Sequence, residues 1–232
     1  LHAEDSLGGS FKAAKAGGTP AIVGVVPSTV PAGSSATVQI VGTGLGDVAL
    51  SGALEATGGT TNAYGSAIEV SPAADTDGLI TVASGDATTD ETLAVYSHVD
   101  SLKVEPAFAV ARVGGGGGSA GKVPARFDAV GYWNGPDGQP GTEDDIRIGS
   151  VPASWSVAPF NEEAEHLKDT EYAGVMDETL GIFMPGVAGP NTERPFSTNN
   201  AGNLKVLATS GEATGEGQLI VTVQRWNDPP IR

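Results

Sequence analysis

Glycine and proline interrupt this chain too often for long helices: 34 glycines and 15 prolines occur in 232 residues. Glycine opens positive φ and loses much entropy inside a regular element, while proline fixes φ and removes an N–H donor. A chain punctuated in this way builds most readily as many short strands joined by tight turns. Aromatic residues make up 6%, which leaves small and β-branched side chains to fill the interior. The length exceeds the usual size of one domain and predicts two, of about 100 residues each.

The strand pattern starts after a short preface. Residues 1–18 read as an N-terminal strand, around Leu7 and Phe11, followed by a link. That strand is either the end of a preceding β domain or a frayed terminus. Ile22, Val23, Val25 and Val26 form an apolar strand that closes at Pro27, and Pro31-Ala32-Gly33 makes a turn. Ala36, Val38 and Ile40 then alternate with Thr37, Gln39 and Val41, the period of a half-buried strand. Further strands are expected at Ala67–Val70, Leu79–Ser84, Thr92–Tyr96 and Leu102–Val104. The run from Val25-Val26-Pro27 to Gly44-Leu45 resembles the opening strands of immunoglobulin-like domains of the IPT/TIG kind. The expected fold is therefore all-β, with two immunoglobulin-like β-sandwich domains in tandem: 19–100, and a longer, decorated one at 101–232.

In the second domain, strands are expected at Phe108–Val113 and Val123–Val130, on either side of the glycine run Gly114–Gly118. That run reads as a loop inside the domain. Val151–Val157 carries Trp155 among small residues, as a buried strand would, and the polar stretch 161–170 is helical or irregular. Ala173–Met176, Gly181–Met184, Leu204–Thr209 and Gln218–Arg225 complete the strands. The tail from Trp226 to Arg232 cannot extend a ladder past Pro229 and Pro230 and reads as a docking arm. Trp226, beside those prolines, and Trp133, at the mouth of a hairpin, are the tryptophans placed to anchor an interface.

Charge and cysteine content narrow the chemistry. A net charge of −16 leaves no basic stripe for phosphates, so neither nucleic acid nor an anionic membrane is an expected partner. The charge serves solubility or a cationic partner. No cysteine is present, which removes disulfides, thiolate nucleophiles and haem attached through a CxxCH motif. No apolar run approaches the ~20 residues that span a bilayer. The start at Leu1-His2-Ala3-Glu4 has neither an initiator Met nor a signal segment, so a processed product or a piece of a longer chain is expected.

The most specific stretch is the hairpin from Tyr132 to Pro159. Asn134-Gly135, Asp137-Gly138 and Pro140-Gly141 are successive turn signals, followed by Thr142-Glu143-Asp144-Asp145. Asp137, Asp144 and Asp145 offer hard oxygen ligands of the kind Ca²⁺ takes, without the spacing of an EF-hand loop. The other reading is that each carboxylate caps backbone amides of its own turn. His2, His98 and His166 lie too far apart in sequence for zinc spacing. Glu162, Glu163 and Glu165 have no apolar surroundings to raise a pKa. No serine sits in a nucleophile elbow, and the glycine run lacks the Lys-Ser/Thr ending of a phosphate loop.

Three stretches together resemble the C-terminal β domains of the quinohaemoprotein amine dehydrogenase α subunit. They are Thr19–Ser28 running on to Leu45; Asn134–Asp145 with Ala153-Ser154-Trp155-Ser156; and Gly181-Ile182-Phe183 with Gly189-Pro190-Asn191, Arg194, Asn199-Asn200, Gly202 and Leu219–Val223. The resemblance implies a periplasmic or secreted chain inside an amine-oxidising complex. Its haem c would sit in a partner domain and its cysteine tryptophylquinone in a partner subunit, with no catalytic or cofactor residue in this chain. Its partners would be the haem-bearing domain and the other subunits. The reading from a different class is a stand-alone secreted or cell-surface β-sandwich module for binding or adhesion, stiffened by calcium.

Overall fold

The computed structural model describes residues 2–4, 10–12, 20–57, 59–62, 65–89, 93–114, 121–195 and 199–223. The chain divides into two compact units, Leu1–Asp100 with Gly131–Gly149, and Ser101–Val130 with Ser150–Arg232. Both are built of strands in the immunoglobulin-like manner.

The first unit opens with β1 (His2–Glu4), β2 (Ser10–Lys12), β3 (Ala21–Val26), β4 (Thr29–Pro31), β5 (Ala36–Thr43) and β6 (Val48–Gly52). It continues with β7 (Ala56–Thr57), β8 (Thr60–Asn62), β9 (Gly65–Val70), β10 (Gly78–Ser84), β11 (Ala87–Thr88) and β12 (Leu93–Tyr96). One sheet has the order β1–β2–β3–β5–β9–β8 and the other β4–β12–β10–β6–β7, with β11 on β10. Alternation decides which side chains face the core: in β5, Val38 and Ile40 are buried while Thr37, Gln39 and Val41 are exposed. From the other sheet Val30, Val82, Leu93 and Val95 meet them at 0% exposure. Each such aliphatic side chain contributes about 1.5–3 kcal/mol by leaving water.

Two features of this unit differ from the sequence reading. The expected turn follows at Ala32-Gly33, with Gly33 at φ +71, but the residues before it form an unexpected strand, β4, which ends at Pro31 and pairs parallel with β12 (Thr29↔Ala94, Val30↔Val95). Pro27 ends the first ladder, and the chain re-enters on the opposite sheet, where Val30 fills the core. The preface, expected to hold one strand, holds two. β1 pairs with β2, and β2 pairs with β3 through Ser10↔Val25 and Phe11↔Gly24, closing an edge that would otherwise present unpaired N–H and C=O groups.

From Ser101 onward come β13 (Ser101–Glu105), β14 (Phe108–Arg112), β15 (Ala125–Arg126), β16 (Asp128–Trp133), β17 (Ile146–Ser150) and β18 (Ser154–Pro159). The short helices α1 (Glu162–His166) and α2 (Asp169–Tyr172) follow, then β19 (Gly174–Met176), β20 (Ile182–Pro185), β21 (Gly202–Ser210) and β22 (Ala213–Thr222). The second unit sets a four-stranded sheet, β14–β22–β21–β18, with a three-stranded one, β15–β20–β19. Leu204, Val206, Leu219 and Val221 are buried in the first, Phe183 at 0% in the second, and Phe127, the residue after β15, is 1% exposed. Trp155 is core as expected, 5% exposed, its ring tilted 35° to that of Phe127 with centroids 6.4 Å apart.

Two close approaches set this packing. Gly181 has φ +65, and a Cβ there would lie 2.5 Å from the carbonyl oxygen of Phe127 and 2.9 Å from the Trp155 indole. On β22, a Cβ at Gly215 would lie 2.9 Å from the Leu102 oxygen, and one at Gly217 would lie 3.0 Å from Val104 Cγ1. The Thr214-Gly215-Glu216-Gly217 alternation is thus what lets β13 lie against β22.

Gly181→Ala should therefore cost about 3 kcal/mol or more, adding a clash to left-handed strain. Gly211→Ala, at φ +58 with open space around it, should cost only the strain, about 1 kcal/mol. Urea unfolding midpoints of the two variants check the contrast.

Candidate functional site

The acidic hairpin between β16 and β17 is closed by its own carboxylates. Gln139 N–H donates to Asp137 Oδ1 at 2.7 Å, an Asx turn. The Thr142 hydroxyl donates to Asp144 Oδ1 at 2.7 Å, and Asp137 N–H reaches Asp144 Oδ2 at 3.3 Å. Gly141 N–H donates to Asp145 Oδ2 at 2.7 Å. Gly135, at φ +68, has no room for a Cβ because the Asp144 carboxylate occupies that space. The base of the hairpin is tied within the same unit: Asp100 N–H donates to the Tyr132 oxygen at 2.9 Å, and Asn134 N–H to Asp100 Oδ2 at 2.8 Å.

Asp137, Asp144 and Asp145 are thus brought together, each accepting from a donor of the same turn. Among the described residues no group of three or more His, Asp or Glu converges as metal ligands. The Thr142 hydroxyl, above all, holds the Asp144 carboxyl below the usual carboxylate range, with the Asp137 amide adding to it. Trp133, expected as an interface anchor, is 6% exposed within the chain. Trp226 lies outside the described residues.

A second polar centre, which local sequence does not announce, is buried in the second unit. Asp169, at 1% exposure, accepts from Arg194 Nη2 at 2.6 Å on one carboxylate oxygen and from Asn203 N–H at 2.9 Å on the other. The loop that delivers Arg194 is held by two asparagines. Asn199 Oδ1 accepts from Asn191 N–H at 2.6 Å, while its Nδ2 donates to the carbonyls of Asn191 at 2.9 Å and of Arg194 at 2.9 Å. Asn191 Nδ2 donates to the Leu167 carbonyl at 2.8 Å, just before α2. Gly202 makes room for Ala173, whose Cβ would stand 2.6 Å from an added one.

This centre opens on a small polar cleft of 210 Å³ lined by Asn161, Glu163, Leu167, Asp169, Arg194 and Asn203. Both oxygens of Asp169 are engaged, so the carboxylate is a structural acceptor and not a free base. A larger groove of 560 Å³ runs along β13 and β22, lined by Leu102, Val104, Ala107, Leu207 and Gly215. Lys103, Glu105, Thr214 and Glu216 complete its lining.

Two outcomes follow from these centres. Thr142→Val should raise the Asp144 pKa toward the ordinary value of about 3.9. Because the folded value is depressed, the Asp144 contribution is present above the unfolded pKa and lost as pH falls through the folded one; a carboxyl-carbon NMR titration reads both. Asp169→Ala should cost about 3–5 kcal/mol, because it strands Arg194 and the Asn203 amide. Thermal or urea unfolding checks it, and Lys205→Ala, on a solvent-exposed pair with Glu216, should change stability by less than about 1 kcal/mol.

Comparison with known proteins places this architecture. Residues 19–97 match the family described as quinohemoprotein amine dehydrogenase, alpha subunit domain III. Residues 102–231 match the alpha subunit domain IV of the same enzyme. No curated protein matches the chain. Among solved structures, mouse clustered PcdhgC3 EC1-3 is 11% identical over 89% of this chain and 68% of that one, with a TM-score of 0.35. The titin domains Z1Z2 in complex with telethonin are 12% identical over 88% and 93%, with a TM-score of 0.29. Domains 5-6 of the S-layer protein SbsC are 13% identical over 89% and 100%, with a TM-score of 0.27. The two consecutive domain matches cover nearly all of the sequence, and the chain belongs to the quinohemoprotein amine dehydrogenase α-subunit family, as its domains III and IV.

Proposed function

We propose that this chain is the non-catalytic scaffold portion of a periplasmic quinohaemoprotein amine dehydrogenase α subunit, supporting the assembly that oxidises amines and passes on their electrons. The observation that carries this reading is the succession of matches to domains III and IV over residues 19–97 and 102–231. The side-chain chemistry agrees with it. The sequence has no cysteine with which to attach haem c by thioether bonds. Its conspicuous carboxylates, Asp144 and Asp169, spend their oxygens on holding turns and loops. In this reading the haem-bearing domain and the quinone-bearing subunit bring the redox groups. The present chain contributes rigid β-sandwich surfaces that fix their separation, on which electron transfer depends.

An in-frame deletion of the region encoding residues 19–232 in the native organism tests the proposal. The expected result is a haem-containing polypeptide that no longer assembles with its companion subunits and a strain that cannot oxidise amines. A complex that assembles and oxidises amines normally without this region would overturn it, and would favour a stand-alone binding or adhesion module instead.

A further inference from the structure

One edge of the second unit is left open to another strand. β14 runs parallel to β22 in the register Phe108↔Gln218, Val110↔Ile220, Arg112↔Thr222. The bonds Gln218 N–H to the Ala107 oxygen and Val113 N–H to the Thr222 oxygen fix the parity of this ladder. In a parallel pair of that parity, residues 107, 109, 111 and 113 turn their amide and carbonyl groups toward β22, and 108, 110 and 112 turn theirs away. Arg112 spends its outward pair on Val123, donating at 3.0 Å and accepting at 3.0 Å. There the added ladder stops, because the chain beyond Val123 leaves to pair Ala125 with Phe183 on β20. Among the described residues, the outward groups of Phe108 and Val110 meet no partner.

The side chains flanking this edge are apolar and wet. Phe108 is 54% exposed, Val110 50% and Val123 41%; Phe108 and Val110 share a face by strand alternation, and Val123 joins them as the bridge partner of Arg112. Natural sheets usually protect an edge with lysine, proline or a bulge, and the stretch Phe108-Ala109-Val110 has none of these. The backbone groups call for an extended segment, and the valines and phenylalanine call for apolar side chains at its alternate positions. Net charge selects among such segments: with 28 acidic and 12 basic residues the chain carries −16, which repels a second copy and attracts a cationic segment.

We propose that the free edge of β14, at Phe108–Val110, is a strand-addition site that receives an extended, apolar-alternating segment with basic ends from another polypeptide. The added strand prolongs antiparallel the pairing that Val123 begins at Arg112. This site stands independently of the assembly reading above, since it rests on the edge itself.

Hydrogen exchange on the full chain, followed by NMR, reads the edge directly. In the free protein the Phe108 and Val110 amides should exchange at least about tenfold faster than those of Ala109 and Ala111. A labelled peptide, Arg-Thr-Val-Thr-Val-Thr-Arg, should bind by fluorescence anisotropy and slow the Phe108 and Val110 amides. Methylating its alternate backbone nitrogens should abolish binding. Val110→Pro, which removes an outward N–H and no bond to β22, should keep the fold and weaken the peptide at least about tenfold. Phe108→Lys is a second variant expected to weaken it. Protection of both amides in the free chain, no peptide binding, or equal binding by the Val110→Pro protein would overturn the proposal. So would dimerisation of the chain that Val110→Pro abolishes, since a second copy would then be the occupant.

Discussion

A carboxylate at 1% exposure cannot be left without compensation, and Asp169 organises the second unit around that requirement. A carboxylate taken out of water needs donors to offset the lost hydration of its oxygens. Arg194 and the Asn203 amide supply them, and each has to be brought from a different stretch of chain. Asn203 arrives on β21, next to Gly202, where the missing Cβ lets α2 approach through Ala173. Arg194 arrives on a loop that cannot rely on a ladder, and Asn191 and Asn199 replace the ladder with side-chain bonds to backbone. Polar satisfaction here does the work that hydrophobic alternation does in the first unit.

The same logic runs on a smaller scale in the acidic hairpin. Its turns are short and glycine-rich, so few inter-strand bonds are available at the tip. Carboxylates on residues two to seven positions away take up the loose amides instead. Asp177 repeats the device ahead of β20, accepting from the Thr179 and Leu180 amides, which hold its pKa down. A composition with 28 acidic residues thereby serves local architecture as well as solubility.

What the sequence made legible was whatever is local. The alternation of Ala36–Val41 and the punctuation around Leu79–Ser84 were enough to expect β5 and β10, because period and turn chemistry are properties of neighbouring residues. β4 was hidden, since three residues ending at Pro31 carry no period, and only parallel pairing with β12 makes them a strand. Val48–Gly52 was hidden because only Val48 and Leu50 alternate before the exposed Ser51-Gly52. The residues Gly189-Pro190-Asn191, Arg194, Asn199-Asn200 and Gly202 could be seen to carry a family resemblance, but not why. Arg194, with Asn191 and Asn199 holding its loop, serves Asp169, which lies 25 residues away from it and has no local signature. The three aspartates of the hairpin were visible as a group, and two chemistries were open to them, calcium ligation and capping of their own turn. Which donors face their oxygens is set by the folded turn.

In the proposed role, this chain is a β-sandwich scaffold within a redox enzyme subunit. The most direct measurement is the intact mass and visible spectrum of the material isolated from its native source through an affinity tag on this chain. A larger assembly with haem absorbance and companion polypeptides is the expected result. A colourless protein of 23.2 kDa, isolated alone, would contradict it.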